Sequence, residues 1–199
     1  MARVSVEAER REQILSAACE SIASLGYRAV RVADVARLAG VSSGTVHYYF
    51  DSKEVLLREA FRFNFENSVN RRSWMVDGDD APVERLRRML HSYLPGDPDT
   101  VMAWRVWVEF WAAALGSEDL QQLNDTVYEN WREYVRESVE HAHAQGALDP
   151  SLSSGDITEM LVGMLDGLAI QALVGSGHMT RERMLEVCDR FVDTVLMRR

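Results

Sequence analysis

The sequence predicts an all-α protein of about nine helices, and three observations predict it. Apolar residues recur at helical spacing from end to end. No segment shows the apolar–polar alternation of a half-buried strand. Gly, Ser and Pro stand where one helical pattern stops and the next begins. With 199 residues, 47% hydrophobic and 27% charged, the chain has material for one domain or for a small domain fused to a larger one. Four prolines and twelve glycines exclude collagen-like or Pro/Gly-rich disordered sequence.

The first helix is expected from about Val6 to Leu25, with Ile14, Ala17, Ala18, Ser21, Ile22 and Leu25 inward and Gly26 ending it. Val32, Val35, Ala36 and Ala39 make one face of a short helix stopped by Gly40. Ser42 caps the next short helix, through Phe50, and Ser52 caps another carrying Leu56, Leu57, Ala60, Phe61 and Phe65 inward. Asp77–Asp80 reads as a solvated acidic loop. Ala81-Pro82 opens a helix with Val83, Leu86, Met89, Leu90 and Leu94 that ends before Pro95-Gly96-Asp97-Pro98. Thr100 to Leu115 follows, then a long helix capped by Ser117 and reaching about Gln145. After a turn-rich link at Gly146–Ser154, the last two helices span about Asp156–Val174 and Thr180–Met197. No repeat or low-complexity tract interrupts the series.

Composition narrows the function classes. The most apolar stretch, Met160 to Val174, is interrupted by Asp166 and falls short of the ~20 residues a bilayer span needs. The charged N-terminal sequence lacks the apolar core of a secretion signal. Cys19 and Cys188 make no metal-ligand spacing, and a reducing cytoplasm is the expected setting. His141 and His143 stand two apart on a helix, not at the four-residue spacing of a metal pair. No phosphate-cradling glycine loop and no nucleophile matched to a base occurs, so neither an enzyme nor a cofactor is expected. Charge is uneven. Residues 1–72 carry 11 Lys and Arg against 9 Asp and Glu, a net +2, whereas residues 73–199 carry 11 against 22, a net −11. If the protein touches a polyanion, the N-terminal segment should make the contact.

The sharpest signal is Val32 to Phe50, a short helix, a tight turn and a second short helix. Ala36 is small where two helices cross, Gly40 permits the positive φ that redirects the chain, and Val46 and Phe50 pin the second helix to the core. Ser43, Gly44, Thr45, His47, Tyr48 and Tyr49 remain on its outer face. Small residues at the entry and hydrogen-bonding or aromatic ones beyond suit approach to base edges and phosphates. Lys53 adds a phosphate contact one turn into the next helix.

Residues 10–60 resemble the TetR family of transcriptional regulators. Gly26, Val32, Val35-Ala36, Ala39-Gly40-Val41-Ser42, Gly44-Thr45, Tyr49-Phe50, Ser52-Lys53-Glu54 and Leu56-Leu57 carry the likeness. His47 replaces the family's usual tyrosine. Arg31, at a place often held by a capping threonine, is free to reach a phosphate. The resemblance implies a homodimer on a roughly palindromic, double-stranded operator, most simply a repressor released by a small-molecule inducer. It assigns DNA contacts to Arg31, Ser42, Ser43, Gly44, Thr45, His47, Tyr48, Tyr49 and Lys53. The division it implies is a DNA-binding domain at residues 1–53 and a ligand-binding, dimerising domain at 54–199.

Trp107-Val108-Glu109-Phe110-Trp111-Ala112 and Leu165-Asp166-Gly167-Leu168 are similar to the BetI-type branch of that family, whose named member responds to choline. Glu109 stands where that branch has a small residue. Trp104, Trp107 and Trp111 share one helical stripe, and Tyr128 with Trp131 forms a second cluster. Core packing explains any one of them. As a group they suit a pocket for a cationic or amphipathic ligand, with Glu109 or Asp166 as counter-charge. By the resemblance Met160, Met164, Leu168, Gln171, Phe191 and Val195 face a second copy of the chain; packing within one copy is the alternative. A helical protein-binding module is the competing class, separated from the first by salt-dependent DNA binding.

Overall fold

In a computed structural model that describes residues 2–72 and 81–197, every regular element is helical and the described residues hold no strand. The helices are α1 (Ala2–Leu25), α2 (Val32–Leu38), α3 (Ser43–Tyr49), α4 (Lys53–Asn70), α5 (Pro82–Tyr93), α6 (Pro98–Ala114), α7 (Glu118–Ala144), α8 (Ser154–Leu173) and α9 (Arg181–Phe191). A π-helical turn, Val192–Leu196, extends α9. The expected loop at Asp77–Asp80 lies outside the described residues. No described helix is long and apolar enough to cross a membrane.

The helix ends follow local chemistry. Ser42, Ser153 and Thr180 accept from backbone amides three residues on, at Thr45, Asp156 and Arg183. Each such cap contributes about 1 kcal/mol. α6 begins two residues before the expected Thr100, because Asp97 accepts from the Asp99 and Thr100 amides and Pro98 fits the first turn. α1 likewise runs further, from Ala2, since nothing before Val6 breaks a helix. The last helix departs most from expectation. Its α geometry stops at Phe191, where the π turn takes over. Asp149 then donates its amide to the Leu196 carbonyl at 2.7 Å.

Two compact units divide the chain. The first takes Met1–Ser68 and Met102–Asp125, the second Val69–Val101 and Thr126–Arg199, so α6 and α7 contribute residues to both. The expected boundary after Lys53 falls inside the first unit, where α4 supplies core. There, Ile14, Ala18 and Ile22 of α1, Val35 of α2, Val46 of α3, Leu56, Leu57 and Phe61 of α4, and Val106 and Phe110 of α6 are buried. The Phe61 and Phe110 rings lie 3.9 Å apart. Cys19 donates its thiol to the Ala60 carbonyl, and burial pushes that thiol's pKa up to about 12. In the second unit, α5 buries Leu86, Met89 and Leu90, α8 buries Ile157, Leu161 and Leu165, and Met184, Cys188, Val192 and Leu196 line the C-terminal helix.

Candidate functional site

The turn between α2 and α3 is built from backbone chemistry upward. Gly40 has φ 62°, a left-handed conformation that other residues adopt at a cost, and the Val41 amide returns to the Ala36 carbonyl at 2.9 Å. Gln13 of α1 donates to the Ala39 carbonyl at 2.7 Å, fixing the turn to the longer helix. Ser42 accepts from the Thr45 amide at 3.0 Å, and the two hydroxyls share a further hydrogen bond of 2.9 Å. Val46 and Phe50 are buried beneath, with the Arg11 guanidinium over the Phe50 ring.

The opposite face of α3 is open. Ser42, Ser43, Gly44 and His47 are exposed, Thr45 and Tyr49 half-buried, and Tyr48 is 74% exposed. Tyr48 and Tyr49 pack edge to face, so one ring braces the other. Arg31 is exposed at the N-cap of α2 and makes no side-chain cap. Lys53 donates to the Arg28 carbonyl at 3.1 Å, which leaves two of its three ammonium donors for another acceptor. The residues expected to contact DNA therefore lie on or beside one short capped helix, within the first unit.

The expected ligand residues fall in two packed groups, one in each unit. In the first, Trp104 and Trp107 are buried, and Trp111 packs against both, with ring centroids 6.1 and 5.9 Å away. Phe65 and Phe110 join the cluster at Trp107. Glu109, expected as a counter-charge, is already engaged. Its Oε2 accepts from the Tyr27 amide at 2.9 Å, just after the φ 84° turn at Gly26. With Leu25, Arg28 and Ala113 it lines a cleft of about 360 Å³. A carboxylate spent on capping this loop is a poor partner for a cation elsewhere.

In the second unit, the Tyr128 hydroxyl donates to Asp166 Oδ2. Burial raises the Asp166 pKa to about 6, the bond from Tyr128 offsetting only part of the penalty. Asp166 Oδ1 and the Trp131 indole N–H are both buried without a hydrogen-bond partner. Trp131 stacks on Tyr93, the rings 3.9 Å apart and 9° from parallel, and on Tyr134 beyond. Tyr93 was not anticipated. Its phenol is raised by burial and then by the Asp166 charge, which places it near the carboxylate. A buried acid with a spare acceptor, beside stacked aromatic rings and a spare indole donor, is suited to a cation that also accepts a hydrogen bond.

Of the expected dimer residues, Met160 is 37% and Val195 40% exposed, Gln171 is exposed, and Met164 and Phe191 are half-buried. Leu168, only 6% exposed, is spent on its own chain and offers a partner little surface. Ile170 and Val174 of the same helix region are also exposed, at 37% and 72%. Among the described residues no group of His, Cys, Asp or Glu could hold a metal ion. His143 instead bonds Ser154 and the Asp149 carbonyl.

Residues 14–60 match the model of bacterial regulatory proteins of the tetR family, and residues 82–197 match that of the BetI-type transcriptional repressor C-terminal part. The chain is 28% identical over 200 residues to the HTH-type transcriptional regulator BetI of Stenotrophomonas maltophilia, with 97% of this chain and 96% of that protein covered. Its fold matches a transcriptional regulator from Saccharomonospora viridis crystallised in complex with choline. That match has a TM-score of 0.89 and 28% identity, and covers 96% of this chain and 100% of the other. A TetR-family regulator from Rhodococcus sp. follows at TM-score 0.83 and 28% identity, covering 94% and 98%.

Proposed function

The chain belongs to the TetR family, with a C-terminal part of the BetI repressor type, and from that premise we propose that it is a homodimeric repressor released from its operator by a quaternary-ammonium ligand. The observation that carries the ligand class is the buried Asp166 carboxylate, held by Tyr128 and set beside the Tyr93–Trp131 stack. A desolvated carboxylate attracts a cation far more strongly than one in water, and the stacked rings beside it keep water away from the charge. The choline-bound relative from Saccharomonospora viridis supports the same class.

Division of labour follows from the residues. Segment 1–53 reads DNA and 54–199 binds ligand and partner, although α4 packs with the former. Arg31, Ser42, Ser43, Gly44, Thr45, His47, Tyr48, Tyr49 and Lys53 form the DNA-facing set. Met160, Met164, Gln171, Phe191 and Val195, with Ile170 and Val174, face the second copy. Two recognition helices about one turn of DNA apart, roughly 34–36 Å, read successive major grooves. A ligand with higher affinity for another spacing shifts the dimer population away from DNA.

The recognition surface is tested by a mobility-shift titration at fixed salt, with DNA from upstream of the protein's own gene. Tyr48→Ala should weaken binding by about 1–3 kcal/mol, with thermal unfolding unchanged because the ring is solvent-facing. Unaltered affinity in that variant would remove α3 from the interface.

A further inference from the structure

The turn from α1 to α2 closes on the Gly26 carbonyl, which accepts from the Ala29 and Val30 amides at 3.2 and 3.3 Å. The Gly26 amide itself returns to the Ile22 carbonyl at 2.9 Å. The Tyr27 amide and the Arg28 carbonyl find their partners on other helices, and both partners are charged side chains. Glu109 of α6 accepts from the Tyr27 amide at 2.9 Å, and Lys53 of α4 donates to the Arg28 carbonyl at 3.1 Å. Hydrogen bonds with one ionised partner are roughly twice as strong as neutral ones. All of these residues belong to the first unit.

Small residues let the turn come close to α6. A Cβ at Gly26 would stand 3.1 Å from Glu109 Oε2, tighter than an ordinary contact. Ala112 and Ala113, one turn further along α6, line the same cleft as Tyr27 and Arg28. The Tyr27 ring stacks on Phe61 of α4 with centroids 5.7 Å apart, and Phe61 lies against Phe110, the neighbour of Glu109. The Arg28 guanidinium reaches past the C-terminal end of α6, with Nη2 4.0 Å from where a Cβ on Gly116 would stand. A cation is favoured at that end of a helix. Backbone, ring and guanidinium of the turn are thus all fitted to α4 and α6.

Lys53 is the first residue of α4, where a cation opposes the helix dipole and adds nothing to helix stability. Its bond to the Arg28 carbonyl fixes the ammonium and so sets the direction of the two donors that remain. We propose that Glu109 is a positioning residue for DNA binding: by holding the Tyr27 amide it fixes the Arg28 carbonyl, and that carbonyl aims the Lys53 ammonium at the DNA backbone. The inference rests on the reading of Lys53 as a phosphate contact. A lysine ordered beforehand does not have to surrender its rotamer freedom on the DNA. Two charge-assisted hydrogen bonds and one turn then tie a phosphate-binding cation to α6.

A double-mutant cycle tests this, with the full chain titrated on operator DNA over a series of salt concentrations. Lys53→Ala should lower affinity about fivefold near physiological salt and reduce the salt slope by about 1. Glu109→Ala should cause a loss and a slope change of the same kind, yet add less than about twofold once Lys53 is already alanine. Glu109→Gln keeps an oxygen acceptor for the Tyr27 amide and should recover the native slope. A Glu109 that served stability alone would weaken binding equally with and without Lys53, through the folded fraction. Equal losses in the two Lys53 backgrounds, or a native slope in Glu109→Ala, would therefore overturn the positioning role. An unchanged slope in Lys53→Ala would instead overturn the phosphate contact, and the aim assigned to Glu109 with it.

Discussion

The outer face of α3 and the Tyr128–Asp166 pair treat their polar groups in opposite ways. On α3 the hydroxyls, the imidazole and the Tyr48 ring stand in water, supported from below by Val46, Phe50 and the Ser42 cap. In the second unit an acid is withdrawn from water, its pKa is raised to about 6, and one of its oxygen atoms lacks a partner. A surface that reads a long polymer must be open, and its exposed groups cost the fold little. A site for a small ion must be dry, because only there does one charge bind strongly. The fold thus gives up stability at Asp166 and almost none at α3.

That contrast predicts the largest effect at Asp166. Asp166→Asn removes the counter-charge and should weaken choline binding by about 2–5 kcal/mol in calorimetry, with operator affinity unaltered in the absence of ligand. The pH dependence has a defined sign. A carboxyl whose folded pKa is raised from 3.8 to about 6 binds more protons folded than unfolded between those values. Stability from this group therefore falls as pH rises through that window and levels off above it. Choline affinity runs the other way, declining as pH drops below about 6 and the carboxylate is neutralised. A flat choline profile from pH 5 to 8 would place the counter-charge elsewhere.

A smaller effect is expected at Glu109. Glu109→Ala leaves the Tyr27 amide without its carboxylate acceptor and should cost about 1–3 kcal/mol of stability in thermal unfolding. If Glu109 instead lined the cation site, choline affinity would fall with it. The smallest effect belongs to Lys53. Lys53→Ala should lower operator affinity nearly uniformly across sequences and reduce the salt slope by about 1. An unchanged slope would mean that Lys53 serves only the Arg28 carbonyl.

The same contrast explains what could be read from the sequence. The α2–α3 unit was legible because its geometry is local. Gly40 must take a positive φ, Ser42 must cap, and Val46 and Phe50 must face inward, all within a few residues of one another. The succession of helices was legible for the same reason, with errors where a cap lay one or two residues earlier, as at Asp97, or where α geometry gave way to the π turn after Phe191. Long-range partnerships were not legible. Glu109 reads as a charge among tryptophans, but its partner Tyr27 is 82 residues away. Asp166 and Tyr128 were each singled out, while Tyr93, which completes the aromatic stack, was not, because it lies on a different helix far away in sequence.

In the proposed function, one cation at Asp166 and operator DNA at α3 oppose each other through a single dimer. Measuring the choline dissociation constant with and without saturating operator tests it most directly, because binding coupling is reciprocal. Operator DNA should weaken choline binding by the same factor by which choline weakens operator binding, about 5- to 150-fold for typical couplings. Equal choline affinity in the free and DNA-bound protein would contradict the account.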